Sequence, residues 1–184
     1  FDGKRMAVVC HPHPLYAGTM DNKVVYTLTR AMNELGIAVL RFNFRGVGQS
    51  QGKFDDGAGE TDDCLAAAQW LQARHPSSQL WLAGFSFGGF IALKAANTLK
   101  PEQLITVAPA VRWIDDAQTI TAPNNWLLLQ GEADDVIEAK GVYSWLEQRK
   151  LSPTIKRFDG VGHFFHGSLT QLKQSIIDTL APNE

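Results

Sequence analysis

Two stretches of the sequence fit the pattern Gly-x-Ser-x-Gly, which often surrounds a nucleophilic serine. The first is GQSQG at 48–52, centred on Ser50, and the second is GFSFG at 84–88, centred on Ser86. A serine hydroxyl becomes a good nucleophile when a histidine accepts its proton and an acid holds that histidine in one tautomer. We expect at most one of the two serines to occupy such a site, and the surrounding sequence must decide which.

The residues around Ser86 favour it as the nucleophile. A serine in this role sits on a sharp turn between a strand that ends before it and a helix that begins directly after it. The apolar run at 80–84 predicts the strand, and the longer run at 87–99 predicts the helix. The flanking Gly84 and Gly88 have no side chains, so the strand and the helix can approach each other. The positive end of the helix would also face a developing oxyanion.

Ser50 has different surroundings. A predicted strand precedes it, but the polar, glycine-rich run QGKFDDGAGE follows, and the next helical pattern begins only at 62. The sequence therefore predicts that Ser50 is a loop residue.

His163 is the best candidate for the base. In this type of site the order along the chain is serine, then an acid, then histidine. His163 follows two glycines in the loop between the last predicted strand and the last predicted helix. His166 stands closer to the helix start, where a capping or surface role suits it better. His75 precedes Ser86 at the end of a predicted helix, where we expect a solvent-exposed cap.

The acid is expected in the loop EADDVIEAK, which follows the predicted strand at 125–131. We favour Asp134, because it lies three residues beyond Gly131, far enough for the chain to turn back toward the strand ends. Asp135 is the main alternative. Glu138 is predicted to open the next helix, where a negative charge is favourable.

Two backbone N–H groups would have to stabilise the oxyanion formed during acyl transfer. One is the amide of Phe87, the residue after the predicted nucleophile. The other is expected in HPHPLYAG at 11–18, after the first predicted strand, where Pro12 and Pro14 have no N–H to offer. This leaves three donors near the strand end: His13, Leu15 and Tyr16.

These candidates lie in loops between alternating strand and helix patterns. Short apolar runs predict strands at 6–10, 37–44, 80–84, 104–109, 125–131 and 154–160. Helix patterns cover 23–35, 62–74, 87–99, 138–149 and 167–180. Continuous apolar strands separated by helices indicate a mostly parallel sheet with helices on both faces. The sequence thus predicts a single α/β domain over 1–184, with its functional groups beyond the carboxyl ends of the strands.

The composition, with 45% hydrophobic and 20% charged residues, is that of an ordinary globular protein. A formal net charge of −2 gives no support for nucleic-acid binding, and the apolar runs are too short for a membrane span.

We expect Cys10 and Cys64 to be reduced core thiols in a cytoplasmic protein. The chain begins at Phe1 without a methionine, which leaves open whether N-terminal strands precede it.

Three other motifs suggest binding sites, and each has a simpler interpretation. The histidines of HPHP with His163 and His166 suggest a metal, but two X-Pro units keep that loop extended. The acidic run at 54–63 lacks the alternation of a calcium loop, and we expect it to favour the start of the next helix. GVGQSQG lacks the ending of a phosphate loop. Arg45 beside it is expected to make a structural salt bridge or bonds to the loop backbone. The sequence predicts neither a metal nor a cofactor.

Five segments, taken in order, resemble the α/β-hydrolases, in particular the small bacterial branch related to dienelactone hydrolases and described as carboxylesterase-like. They are HPHPLYAGTMDNKVV, RFNFRGVGQSQG, GFSFGG, GEADDVI and GVGHFF, and the resemblance covers essentially the whole chain. It implies a Ser86–Asp134–His163 triad, with the amides of Leu15 and Phe87 as oxyanion donors. There are two departures. Dienelactone hydrolases proper use a cysteine nucleophile, and the antiparallel strands that usually open the superfamily's sheet are not found in the sequence.

Residues and resemblance together predict a serine hydrolase, a carboxylesterase that acts through an acyl-enzyme. The segment 110–124 is too short for a cap domain, so we expect an open, shallow site for small or soluble esters. A thioesterase or other acyl hydrolase would use the same residues. A peptidase would share the triad but usually carries a further domain, and a catalytically silent binding module would need none of the three side chains. The expected partner is a small-molecule ester or thioester, with no nucleic acid and no membrane, and the oligomeric state stays open.

Overall fold

The computed structural model describes residues 2–114, 120–121 and 123–181. It contains six strands: β1 (Arg5–Cys10), β2 (Ala38–Arg41), β3 (Gln79–Phe85), β4 (Gln103–Val107), β5 (Trp126–Gly131) and β6 (Thr154–Phe158). Its helices are α1 (Lys23–Glu34), α2 (Ala58–Arg74), α3 (Phe87–Leu99), α4 (Ala139–Gln148) and α5 (Leu169–Leu180). Two short 3-10 helices, Pro14–Tyr16 and Val111–Trp113, follow β1 and β4.

All strand pairs are parallel, and the sheet has the order β2-β1-β3-β4-β5-β6. Side chains alternate between the two faces of each strand. In the central strands β1, β3, β4 and β5 both faces are buried, whereas the edge strands β2 and β6 are mostly half-buried or exposed. Val8 and Leu82 pack with α2, α3 and α4 on one face, whereas Val9 and Ala83 pack with α1 and α5 on the other. This arrangement confirms the predicted α/β class. The predicted extent of the domain over 1–184 stays a prediction.

The strand order reverses at β1, which lies between β2 and β3. In an open parallel sheet, ligands bind in the crevice beyond the carboxyl ends of the strands at such a reversal. Cys10 at the end of β1 is in register with Gly84 near the end of β3. The loops that follow these two strands are therefore neighbours, and they carry the predicted nucleophile and oxyanion donors.

Two element boundaries differ from the sequence prediction by three residues or more. β2 ends at Arg41 instead of continuing to 44, because the chain leaves the sheet and the Phe44 N–H donates to the ring of His11. α2 begins at Ala58 instead of 62, because the Glu60 carboxylate accepts the N–H of Gly57, just before the first helical residue.

His75 is the C-cap of α2, as expected, but it is half-buried and not a solvent-exposed cap.

Across the described ranges, no helix combines the length and the apolar character needed to cross a membrane.

Candidate active site

Ser86 occupies the tight turn between β3 and α3. Its backbone has φ 55° and ψ −119°, a conformation that residues with a side chain rarely adopt. The turn is held on both sides: the Ser86 N–H donates to the carbonyl oxygen of Val107 at 2.9 Å, and the Ser86 carbonyl accepts the N–H of Ala110 at 3.0 Å. Backbone strain of this kind persists only where the surrounding structure enforces it, and it is concentrated at functional sites.

Gly84 explains how the strand and the helix fit together. A Cβ atom at this position would lie 2.1 Å from the carbonyl oxygen of Gly88, a separation that no side chain can adopt. The two glycines of the motif thus bring α3 directly against the end of β3. As a result, the Ser86 side chain stands at the N-terminus of α3, as the sequence predicts.

Ser86, His163 and Asp134 form one hydrogen-bonded chain. The carboxylate of Asp134 is an acceptor only, so His163 Nδ1–H donates to Asp134 Oδ2, at 2.8 Å. In that tautomer His163 Nε2 is an acceptor, and the Ser86 hydroxyl lies 3.1 Å from it, within reach to donate. All three side chains are buried. The structure brings together the three residues chosen from the sequence.

The Asp134 carboxylate is anchored by its own loop. Its Oδ1 accepts the backbone N–H groups of Val136, at 2.9 Å, and Ile137, at 2.7 Å. Its Oδ2 also receives the Gln130 side-chain amide at 3.3 Å. These bonds turn Oδ2 toward His163. By contrast, the alternative acid Asp135 is exposed and lines a neighbouring groove, not the cavity that Ser86 lines.

The His163 loop is pressed against the Asp134 loop. A Cβ atom at Gly131 would lie 2.3 Å from the carbonyl oxygen of Val161, and the Ala133 N–H donates to that same oxygen at 3.1 Å. The imidazole of His163 packs on the ring of Phe85, with ring centroids 4.9 Å apart. His166, the alternative base, is exposed.

Ser50 and Arg45 are found in the structural roles expected for them. The Ser50 hydroxyl donates to the carbonyl oxygen of Asn43 at 2.9 Å, which stabilises the loop after β2. Arg45 forms a salt bridge to Asp63 on α2, with Nη2 and Oδ1 2.8 Å apart. Ser50 is therefore a loop serine, and Arg45 holds that loop against α2.

The hydrogen bonds in the loop after β1 do not fit the expectation that Leu15 is the second oxyanion donor. The Leu15 N–H donates to His13 Nδ1 at 3.2 Å, and the Tyr16 N–H donates to the carbonyl oxygen of His13 at 3.1 Å. Within the described residues, the His13 N–H has no acceptor, and His13 lines the same cavity as Ser86 and Phe87, whereas Leu15 does not. The structure therefore favours His13 over Leu15. The Phe87 amide, at the first position of α3, has no partner inside its helix.

His11 also belongs to the site, and this role is not predicted from the sequence. Its Nδ1–H donates to the carbonyl oxygen of Pro12 at 2.7 Å, and its Nε2 accepts the Phe44 N–H at 3.0 Å. Because a trans peptide is planar, holding the Pro12 carbonyl also orients the His13 N–H, which points the opposite way. Burial lowers the pKa of His11 to about 4, against the opposing effect of the Pro12 bond, so the ring stays neutral.

A cavity of about 700 Å³ opens beside the Ser86 hydroxyl. Its wall is largely apolar or aromatic, and the exposed side chains of Tyr16, Val136 and Phe164 border its mouth. The open, shallow site expected from the sequence stays a prediction. The segment 110–124, on which that prediction rested, includes 115–119 and 122, which lie outside the described residues. In the part of the chain that the structure covers, no group of three or more potential metal ligands is found.

Comparison with known proteins supports the fold. A family model described as serine aminopeptidase, S33, matches residues 18–121, which include Ser86 but neither Asp134 nor His163. A solved serine hydrolase from Xanthomonas campestris, described as without a lid, superposes with a TM-score of 0.91 at 44% identity. That match covers 97% of this chain and 83% of the other.

Two curated relatives extend the comparison. An uncharacterized protein of Rickettsia prowazekii is 39% identical over 186 residues, which is 95% of this chain and 78% of the relative. The lysophosphatidylserine lipase ABHD12 of Danio rerio is 30% identical over 118 residues, and this chain spans 31% of its length. The family model matches more than half of the chain, and the solved serine hydrolase shares its fold over nearly the whole length. The chain therefore belongs to the α/β-hydrolase superfamily, in the family described by the serine aminopeptidase S33 model.

Proposed function

We propose that this protein hydrolyses carboxylic esters through an acyl-enzyme formed on Ser86. The single observation that carries the proposal is the buried chain from Ser86 Oγ through His163 to Asp134, with links of 3.1 Å and 2.8 Å at a strained strand-to-helix turn. A fold by itself does not define an activity, and the proposal therefore rests on the site.

In the acylation step, Ser86 Oγ attacks the carbonyl carbon of the ester while His163 Nε2 accepts the hydroxyl proton. The imidazolium that forms is stabilised by Asp134 across the Nδ1–H bond. When the tetrahedral intermediate collapses, the C–O bond to the alcohol breaks, and His163 returns its proton to the departing oxygen. The acyl group stays on Ser86.

In the deacylation step, water takes the place of the alcohol. His163 Nε2 accepts a proton from this water, whose oxygen attacks the acyl carbon. Collapse of the second intermediate breaks the bond to Ser86 Oγ, which recovers its proton from His163. One water is consumed, and one acid and one alcohol are released.

The carbonyl oxygen becomes negative in both intermediates, and the proposed donors are the amides of Phe87 and His13. The Phe87 N–H opens α3, so the positive end of the helix dipole adds to its effect. The peptide that carries the His13 N–H is held by His11. Because this orientation is set before substrate binds, little reorganisation is needed when the charge develops.

The substrate class is proposed from the cavity and from the relatives. The cavity of about 700 Å³ has room for a small acyl or aryl group beside Ser86. The name of the Danio rerio relative refers to hydrolysis of a lipid ester, which is the same bond type. A thioesterase would use the same side chains, so both classes of acyl compound belong in the test.

The test is steady-state hydrolysis of p-nitrophenyl esters and acyl thioesters of increasing chain length by the purified protein. Wild type should cleave short esters, and Ser86→Ala should reduce kcat roughly 10⁶-fold, to the background of the assay. Ser50→Ala is the matched control and should keep the wild-type rate.

Aminoacyl p-nitroanilides form a separate arm, because the matched family model is described as an aminopeptidase. Faster cleavage of these amides than of the esters would replace the esterase proposal with a peptidase. Wild-type activity in Ser86→Ala on every ester would contradict the proposed nucleophile.

A further inference from the structure

We propose that Arg112 binds an anionic group of the substrate, so that the natural substrates are esters that combine an apolar part with a carboxylate or a phosphate. This inference rests on the proposed hydrolase function and narrows its substrate class.

Arg112 lies on the wall of the catalytic cavity. It belongs to the short 3-10 helix Val111–Trp113, directly after β4. Among the described residues that line this cavity, only Arg112 carries a permanent charge. The aromatic side chains of Trp113 and Phe87 line the same cavity. An ester bound at Ser86 therefore meets this cation on a largely apolar or aromatic wall.

The guanidinium has donors to spare. Its Nη1 donates to the carbonyl oxygen of Val136 at 3.2 Å, which uses one of five N–H groups. Within the described residues, no carboxylate lies within salt-bridge distance of it, and the side chain is exposed. Planar guanidinium groups bind carboxylate and phosphate through paired N–H donors.

The charge of Arg112 affects the pKa of a residue that lines the cavity. Burial lowers the pKa of His13, and the charge of Arg112 adds to this effect against the opposing carboxylates of Glu60 and Asp56. His13 carries the proposed oxyanion N–H. The guanidinium is thus close enough to influence a group at the reaction centre.

A second groove, of about 430 Å³, adjoins the catalytic cavity and shares Arg112, Val136 and Ile137 with it. Outside the shared residues, the lining of this groove includes the carboxylates of Asp135 and Glu138, which would repel an anion. A negatively charged group that extends from Ser86 is therefore favoured at Arg112, where the two spaces meet, and disfavoured farther along.

The test compares pairs of esters that differ in one charged group. Mono-p-nitrophenyl glutarate is paired with p-nitrophenyl pentanoate, which has the same chain length without the carboxylate. The phosphate arm pairs para-acetoxyphenyl phosphate with phenyl acetate. Each pair is measured on wild type, Arg112→Met and Arg112→Lys. Arg30→Met, an exposed arginine on α1 outside both cavities, is the control for the same change in net charge.

We expect wild type to prefer the charged member of at least one pair. Arg112→Met should lower the ratio of kcat/KM for charged over neutral ester by about tenfold or more, the value of a charge-assisted hydrogen bond. Arg112→Lys should retain part of the preference, and Arg30→Met all of it. A loss confined to the glutarate pair identifies a carboxylate site, and a loss confined to the phosphate pair identifies a phosphate site.

Unchanged ratios in Arg112→Met, with wild type cleaving the neutral esters, would overturn the role of Arg112 and leave the hydrolase proposal intact. If wild type cleaves neither neutral ester and its serine does not react with a fluorophosphonate, the proposed function itself fails.

Discussion

Gly88 lies directly against the carbonyl oxygen of Cys10: a Cβ atom on Gly88 would sit 2.2 Å from it. This contact joins the start of α3 to the end of β1, and it brings the Phe87 amide next to the loop that begins with His11. The obstacle is backbone, which cannot rotate away as a side chain would. The second glycine of GFSFG therefore serves the oxyanion donors as well as the nucleophile.

Gly88→Ala should destabilise the protein by about 3 kcal/mol, because the added methyl group overpacks a rigid contact. Gly141 lies on the exposed side of α4, where an added methyl group would meet no atom within 4 Å, so Gly141→Ala should stabilise by about 0.5–1 kcal/mol. Urea unfolding of the two variants measures both changes. Equal stabilities would show that α3 and β1 are not in close contact.

His13→Pro should lower kcat about 10²–10³-fold, because it removes the proposed oxyanion N–H. Residue 13 has φ −54°, which proline adopts without strain. His13→Ala is the matched control: it removes the imidazole but keeps the N–H, and it should retain most of kcat. Leu15→Pro compared with Leu15→Ala gives the same comparison for the other donor. A large loss confined to Leu15→Pro would restore Leu15 to that role.

Asp134→Asn should lower kcat roughly 10⁴-fold with a small effect on KM, because an amide in place of the Oδ2 acceptor favours the wrong tautomer of His163. Asp135→Asn changes the same charge at the next, exposed position and should keep the wild-type rate. Steady-state kinetics on one short ester compares the two. A larger loss in Asp135→Asn would mean that the acid is the neighbouring residue.

The neutral ring of His11 should make the protein less stable in acid. Burial lowers the pKa of His11 from 6.5 to about 4, so between those values the unfolded chain binds a proton that the folded protein does not. The stability that comes from this neutral ring is complete above pH 6.5 and is lost as the pH falls toward 4. The difference between the two pKa values corresponds to about 3 kcal/mol, of which about 2 kcal/mol is lost between pH 7 and pH 5.

His11→Asn provides the comparison, because asparagine can donate and accept but does not titrate. Free energies of unfolding at pH 7, 6 and 5 should fall more steeply in wild type than in this variant. Parallel curves would mean that the His11 pKa is not lowered. Kinetics of the same variant report on the loop: if His11 orients the His13 N–H, kcat should fall more than KM changes.

The sequence predicted the parts of the site that depend on chain order. Ser86 was recognisable because a strand, a glycine-flanked turn and a helix follow one another without a gap. Asp134 and His163 were recognisable because they follow β5 and β6, whose carboxyl ends lie at the same edge of the sheet as that of β3. Such placement depends on the alternation of strands and helices, which apolar periodicity reveals.

The remaining parts depend on local geometry that a residue type does not encode. The choice between Leu15 and His13 depended on which N–H already has an acceptor, and the ring of His13 itself binds the Leu15 amide. His11 was visible in HPHP, but its role follows from bonds to Pro12 and to Phe44, a residue far along the chain. Arg112 gains its importance from a cavity formed by several separate loops.

The most direct test of the central claim is the intact mass of the protein after incubation with a fluorophosphonate, which reacts with an activated serine without resembling the natural substrate. Wild type and Ser50→Ala should each gain the mass of one phosphonyl group, and Ser86→Ala should gain none. Labelling of well-folded Ser86→Ala, or loss of labelling in Ser50→Ala alone, would contradict Ser86 as the nucleophile. Absence of labelling in well-folded wild type would contradict the activated serine itself.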